Sequence, residues 1–181
     1  MVVEVRPTRG DILARTHYKL LCRVSGADVF LVWYTNDRDG VVVTPDERVL
    51  CFGSEGALVE HAQKLHVTLS EHRPVVHDLD AVDAWAQAPT ADPLDCRKLL
   101  LAWNFFGDVA RSTPSHAKAF EQAEAHLDAL YDKLFLGTKP TSLPAESNAS
   151  SAVWSGAEIE RLSEVMRRGL ELFRTTMIHA G

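Results

Sequence analysis

The stretch that decides the fold is DPLDCRKLLLAWNFFGDVARS, from Asp92 to Ser112. Asp92 followed by Pro93 predicts a helix N-cap and the first helical residue, where the missing N–H of proline costs nothing. Apolar side chains then cover most of the helix circumference and leave a narrow polar line: Arg97, Asn104, Asp108 and Arg111. A helix that is apolar over so much of its surface needs neighbours on several sides, so we expect it at the centre of the core.

The composition is that of a folded chain of moderate acidity. Its 181 residues are 46 % apolar and 24 % charged, which predicts one globular domain over 1–181, β-rich over 1–53 and helical over 54–181. We expect no membrane segment, because no apolar run approaches the roughly 20 residues that span a bilayer. We also expect no signal peptide, because the first residues carry Glu4 and Asp11 and lack a long apolar centre. The three cysteines lack C-x-x-C spacing and sit among apolar neighbours, which is typical of free thiols in a reducing compartment. The predicted location is therefore the cytoplasm.

The N-terminal part predicts an antiparallel β-meander. Residues 18–24 and 28–34 are rich in β-branched and aromatic side chains and flank a hairpin-length loop, Ser25-Gly26-Ala27. Shorter strands are expected at 41–43 and 49–52, after turns. Together with the helices that follow, this predicts an α+β fold, in which the meander packs against C-terminal helices.

The rest of the chain carries mainly helical signals. A capping box, Ser155 with Glu158, starts the last helix. Residues 137–152 lack periodicity, which predicts a long surface loop of the kind that is often functional. The other expected elements are a helix from Ser54 to His66, a short strand at 75–76, a short helix to Trp85 and a helix over 114–136 that begins at Thr113-Pro114.

The sequence contains no recognisable catalytic or metal-binding motif. Eight histidines form no H-E-x-x-H pattern, and no glycine-rich phosphate loop is present, so we expect no metal and no cofactor. The best acid/base cluster is His72 and His77 with Asp78 and Asp80, which leaves open an uncharacterised enzyme. Because no nucleophile accompanies that cluster, we expect the protein not to be an enzyme.

One acidic arrangement indicates a binding surface. On the predicted helix 114–136, an acidic row lies close to one line, with Tyr131 at its edge: Glu121, Glu124, Asp128 and Asp132. Like charges three or four residues apart destabilise a helix by a few tenths of a kcal/mol per pair, a cost that a basic partner would relieve. The net charge of −6 and the lack of a basic patch argue against direct binding to nucleic acid, so we expect none.

The segment His126-Leu127-Asp128-Ala129-Leu130-Tyr131-Asp132 resembles the inhibitory helix of barstar, an intracellular inhibitor of a secreted bacterial ribonuclease. The family pattern is Asn-Leu-Asp-Ala-Leu-Trp-Asp, and its acidic residues enter the phosphate-binding site of the ribonuclease. The resemblance implies that Asp128 and Asp132 mimic RNA phosphates, with Tyr131 in the aromatic position. It covers this helix only and does not extend to the barstar fold.

A second resemblance spans more of the chain. Residues 99–112, 130–138 and 154–173 are similar to bacterial toxin-immunity proteins, which are cytoplasmic inhibitors of a cognate nuclease toxin. Both resemblances imply an acidic protein that binds and blocks a bacterial ribonuclease or nuclease toxin, through Glu121, Glu124, Asp128, Tyr131 and Asp132. The alternatives are the enzyme noted above and a structural or regulatory homodimer formed through the apolar face of the central helix.

Overall fold

The structure, a computed structural model, describes residues 15–35, 37–138 and 153–180, and it confirms an α+β fold. Its strands are β1 Thr16–Val24, β2 Ala27–Thr35, β3 Gly40–Val41, β4 Val49–Cys51, β5 Val75–Asp78 and β6 Met177–His179. Its helices are α1 Glu55–Lys64, α2 Leu79–Gln87, α3 Cys96–Ser112, α4 Lys118–Glu124, α5 Asp128–Leu136 and α6 Gly156–Thr176. None of the described helices is long and apolar enough to cross a membrane.

The predicted hairpin forms the centre of a four-stranded sheet. β1 and β2 pair antiparallel from Thr16 opposite Thr35 to Val24 opposite Ala27. The loop between them takes positive φ at Ser25 and Gly26, and the Asp80 carboxylate accepts both backbone N–H groups, at 2.6 and 2.9 Å. This side chain therefore satisfies the two donors that the tight turn leaves exposed.

The strand pairing differs from a simple meander. The sheet order is β3-β2-β1-β5, and β5 runs parallel to β1. β4 forms a separate two-stranded parallel sheet with β6, which follows the last helix. Parallel pairing joins segments far apart in the chain, so no local turn signal marks it. The short strand expected at 75–76 is confirmed as part of β5, whereas β6 lies in a part of the chain expected to be helical.

The central position of α3 is confirmed, but its predicted N-cap is wrong. The helix starts at Cys96, and Asp95, not Asp92, caps it by accepting the Lys98 N–H at 2.9 Å. Both aspartates are good N-caps. Leu94, just before this cap, is partly buried against the core and lies outside the helix.

The apolar faces of α3 are covered within the chain. Its large side chains Trp103, Phe105 and Phe106 are at most 5 % exposed, and α5 and α6 pack against the helix. Phe105 meets Phe173 of α6 edge to face, with ring centroids 5.0 Å apart. The apolar surface that motivated a homodimer through this helix is therefore already buried by the chain's own elements.

The helix expected over 114–136 is instead two helices, α4 and α5. They are separated at Ala125–Leu127, where His126 has a φ of 64°. Thr113 is not an N-cap: it is buried at the end of α3, and its hydroxyl donates to the Val109 carbonyl. α4 packs on α6, and α5 packs on α3. The two helices therefore follow different neighbours and do not continue along one straight axis.

Other local predictions are confirmed. Ser155 and Glu158 form the capping box that starts α6, and Ser54 caps α1 by accepting the Ala57 N–H. The three cysteines are free and buried: Cys22, Cys51 and Cys96. Of the loop predicted over 137–152, residues 139–152 lie outside the described residues, and Gly137 and Thr138 follow the end of α5.

Candidate functional site

Three of the four predicted acidic residues line a cleft of about 720 Å³ between α3 and the α4–α5 pair. Its lining contains five carboxylates, one guanidinium and one imidazole, together with three large aromatic rings. The charged residues are Asp39, Asp108, Glu121, Glu124, Asp128, Arg111 and His126, and the aromatic residues are Trp33, Trp103 and Tyr131. A concave surface with a strong excess of negative charge favours cationic ligands and raises their local concentration.

Four of the five residues selected from the sequence line this cleft. Glu121 and Glu124 come from α4, and Asp128 and Tyr131 come from α5. Asp132 is exposed on α5 and is not part of the lining. The interruption of the helix at 125–127 lets α4 and α5 both line one cleft. An unbroken helix would have displayed the acidic row on a convex face.

One carboxylate of the cleft, Asp108, is held by a tryptophan and an arginine. This buried carboxylate, from α3, accepts the indole N–H of Trp33 at 2.7 Å and pairs with Arg111 one turn later on the helix. Arg111 also donates from Nε to the backbone carbonyl of Asp39, at 3.3 Å. Burial raises the pKa of Asp108, against the lowering effect of the hydrogen bond from Trp33 and of the nearby guanidinium.

A second carboxylate of the cleft, Glu124, is bonded to another tryptophan. Its carboxylate accepts the indole N–H of Trp103 at 3.0 Å, and burial raises its pKa. The ring of Tyr131 meets that of Trp103 edge to face, 5.5 Å between centroids, and the Tyr131 hydroxyl donates to Asn104 at 2.8 Å. The hydrogen bond from Trp103 and the positive charge of Arg111 act on the pKa of Glu124 in the opposite direction.

Sequence reasoning missed one wall of the cleft. The polar line of α3 was identified, but its members Asn104, Asp108 and Arg111 face the cleft and were not assigned a role. Their spacing of four and three residues was the available signal, because it places them on one side of a helix. Trp33 had no such signal, since its position depends on how the sheet packs beside α3.

The His72–Asp80 segment has structural roles in the fold. His77 is buried, its ring lies 5.1 Å from that of Phe105, and burial lowers its pKa to about 4. Asp78 caps α2 and Asp80 holds the β1–β2 turn, while His72 is exposed with its Nδ1 2.5 Å from Ser70 Oγ. The four side chains therefore do not converge on one point where a substrate could react.

The described residues contain no group of three or more His, Cys, Asp or Glu side chains placed to hold a metal ion. The cleft carboxylates instead bond to indole and guanidinium N–H groups. The chemistry that this arrangement offers is recognition of a cation, with aromatic rings beside the carboxylates.

Comparison with known proteins shows a shared fold. No protein-family model matches the chain, and no curated protein matches its sequence. Among solved structures, the chain is similar to the C-terminal domain of SatS, crystallised in complex with bromine. The TM-score is 0.52 at 16 % identity, over 91 % of this chain and 94 % of that one. At this identity the likeness concerns the fold alone.

Proposed function

We propose that the protein is a cytoplasmic binding protein, not an enzyme, that takes a basic segment of a partner protein into the acidic cleft. The partner class that we favour is a bacterial ribonuclease or nuclease toxin, which would be inhibited by occlusion of its active site. The observation that carries this proposal is the cleft itself, whose described lining gathers five carboxylates, two indoles and one guanidinium.

The proposed mechanism replaces RNA by protein carboxylates. A ribonuclease binds RNA phosphates with arginine, lysine and histidine side chains, and carboxylates such as Glu124 and Asp128 would take the place of those phosphates. Opposite charges would steer the two proteins together and accelerate association. The same charge repels free nucleic acid, so the proposal includes neither direct nucleic-acid binding nor a membrane.

The concave shape refines how the partner would bind. The acidic residues line a cleft, so the partner has to supply a projecting basic loop or edge, whereas a barstar-like helix would itself project into the partner. Glu124 is half-buried, and removal of its charge should cost roughly 2–5 kcal/mol of binding if it faces an arginine. Asp128 is exposed, so its removal should cost roughly 0–1 kcal/mol.

The direct test is RNA cleavage by a panel of secreted bacterial ribonucleases and toxin nuclease domains, with and without the protein. We expect inhibition of at least one enzyme by the parent and strong loss of that inhibition in Glu124→Gln. Asp132→Asn distinguishes the cleft from a surface formed by one face of α5, because Asp132 is exposed outside the cleft. If the cleft is the site, this variant inhibits like the parent.

Two controls support the interpretation. Association should slow as salt is raised, because screening acts on long-range steering between the two proteins. Circular dichroism and melting curves establish that each variant is folded. The proposal fails if the panel is not inhibited, and the cleft is excluded if Glu124→Gln inhibits as well as the parent.

A further inference from the structure

The cleft wall that α5 forms is attached to the protein more weakly than the helices around it. Two of its nine residues are buried, Leu130 and Leu134, whereas α3 buries ten of its seventeen. Among the described helices, α4 and α5 are the two whose N-termini have no side-chain cap. A helix with few buried side chains and uncapped N–H groups is typical of regions that open locally, without global unfolding.

The joint between α4 and α5 has the properties of a hinge. It consists of residues 125–127, where Ala125 and His126 are exposed and His126 has a φ of 64°. Hinges are short segments at the ends of elements, and their backbone absorbs a conformational change without disturbing a packed core. α4 is fixed on one side of the joint, because Phe120 is buried and its ring meets that of Phe106 edge to face, 6.2 Å between centroids. Movement at the joint therefore displaces α5 and leaves α4 in place.

Two polar side chains of α5 hold it against its neighbours. The Tyr131 hydroxyl donates to Asn104 of α3 at 2.8 Å, in an exposed position. Lys133 donates to the carboxylate of Glu158 at 2.6 Å and to the backbone carbonyl of Val153 at 2.7 Å. These contacts lie at least partly in water, where each contributes modestly to stability. We call Tyr131 and Lys133 the latch of α5.

The size of the cleft is the reason that movement of α5 matters. Its volume of about 720 Å³ lies within the roughly 300–1,000 Å³ of sites that hold one small molecule. A loop of a partner protein brings its backbone as well as its side chains and is larger than such a ligand. Because Asp128 and Tyr131 of α5 line the cleft opposite α3, displacement of α5 away from α3 widens it.

We infer that α5 is a hinged lid, which swings away from α3 about residues 125–127 when the latch opens, and that the widened cleft admits the loop of the partner. The first part concerns this chain alone. The second part rests on the proposed function, because it describes how the partner enters the same cleft. Neither part requires a change in α3, α4 or the sheet.

Native-state hydrogen exchange of the full-length protein tests the first part. We expect amides in the last turns of α5 to exchange about 100-fold or more faster than those in the middle of α3, with little dependence on urea, since local opening exposes little surface. Tyr131→Phe and Lys133→Met should each accelerate α5 about fivefold and leave α3 unchanged. The matched controls Tyr18→Phe and Lys118→Met remove a hydroxyl and an ammonium outside the latch and should leave α5 unchanged.

A reversible lock can be built at the end of α5 that lies farthest from the joint. A Cβ at Gly137 would lie 3.2 Å from Cβ and 2.6 Å from Sγ of Cys96, the first residue of α3. Disulfides span about 3.5–4.5 Å between Cβ atoms, so Gly137→Cys pairs with Cys96 after a shift of a few tenths of an ångström. Oxidation should slow exchange in α5 about tenfold or more, and reduction should restore it. Gly137→Cys combined with Cys96→Ala is the matched control, because it cannot form this disulfide.

The hinged lid is wrong if α5 and α3 exchange at the same rate and with the same dependence on urea, since α5 would then open only with the whole molecule. It is also wrong if neither latch variant accelerates α5, or if the disulfide forms and leaves the exchange of α5 unchanged. For the second part, the oxidised variant should associate with the responsive ribonuclease about tenfold more slowly than the reduced one, and equal rates refute it. A nuclease panel that stays active although α5 opens would refute the proposed function and leave the lid intact.

Discussion

A single methyl group added to α6 should destabilise the protein, although helix propensity alone predicts the opposite. Gly169 is buried where α6 crosses α3, and a Cβ built there would lie 2.0 Å from Cδ2 and 2.3 Å from Cγ of Phe106. These distances are far inside van der Waals contact. The glycine therefore permits the close approach of the two helices, and Gly169→Ala tests whether that approach holds the core together.

The magnitude follows from two opposing effects. Alanine in a helix interior is favoured over glycine by about 1 kcal/mol. Overpacking a core costs typically about 1–3 kcal/mol, occasionally more, and the upper part applies when the neighbour cannot move. Phe106 is fully buried, and the rings of Phe105 and Phe120 lie 5.8 and 6.2 Å from its own. We expect Gly169→Ala to lower the free energy of unfolding by about 2 kcal/mol.

Urea unfolding followed by tryptophan fluorescence measures this change. The matched control is Gly107→Ala in α3, where the Cβ would approach the half-exposed guanidinium of Arg111, at 3.3 Å, and no core ring, so the variant should be neutral or up to about 1 kcal/mol more stable. In Phe106→Leu the ring is absent, and Gly169→Ala should then cost less, with a coupling of about 0.5–3 kcal/mol. If Gly169→Ala alone is as stable as the parent, the helices do not cross as described.

Three further changes test other parts of the structure. Trp103→Ala should lower the free energy of unfolding by about 3 kcal/mol. This is the lower end of the range for buried aromatic residues, because Trp103 also lines the cleft. An unchanged melting temperature would contradict its burial. Glu158 has a pKa lowered to about 2 by its hydrogen bonds from Lys133 and the Ser155 backbone, so its contribution is complete above about pH 4.5 and is lost as the pH falls towards 2. Glu158→Gln should thus cost about 1–2 kcal/mol at pH 7 and progressively less in unfolding titrations at lower pH, and a pH-independent difference would refute this role. Replacing all three cysteines with alanine should leave inhibition of the responsive ribonuclease unchanged with some loss of stability, and a folded variant that no longer inhibits would show that a thiol takes part: Cys22, Cys51 and Cys96.

Features with a local physical cause were predictable from the sequence. The hairpin follows from two β-rich runs around Ser25-Gly26, the start of α6 from the Ser155–Glu158 capping box, and the burial of α3 from its apolar circumference. In the same way, charge spacing selected Glu121, Glu124 and Asp128 and placed Tyr131 beside them. In each case neighbouring residues are enough, because caps, turns and periodicity act over a few residues.

The shape of the site was decided by tertiary packing. The break at His126 has no glycine or proline to announce it, and it exists because α4 packs on α6 while α5 packs on α3. The parallel pairings of β5 and β6, and the approach of Trp33 to Asp108, likewise join distant segments. The sequence by itself determined which residues carry negative charge and which helix is central. Only the folded chain decided that this charge lines a cleft, because concavity arises from contacts between elements that no local pattern encodes.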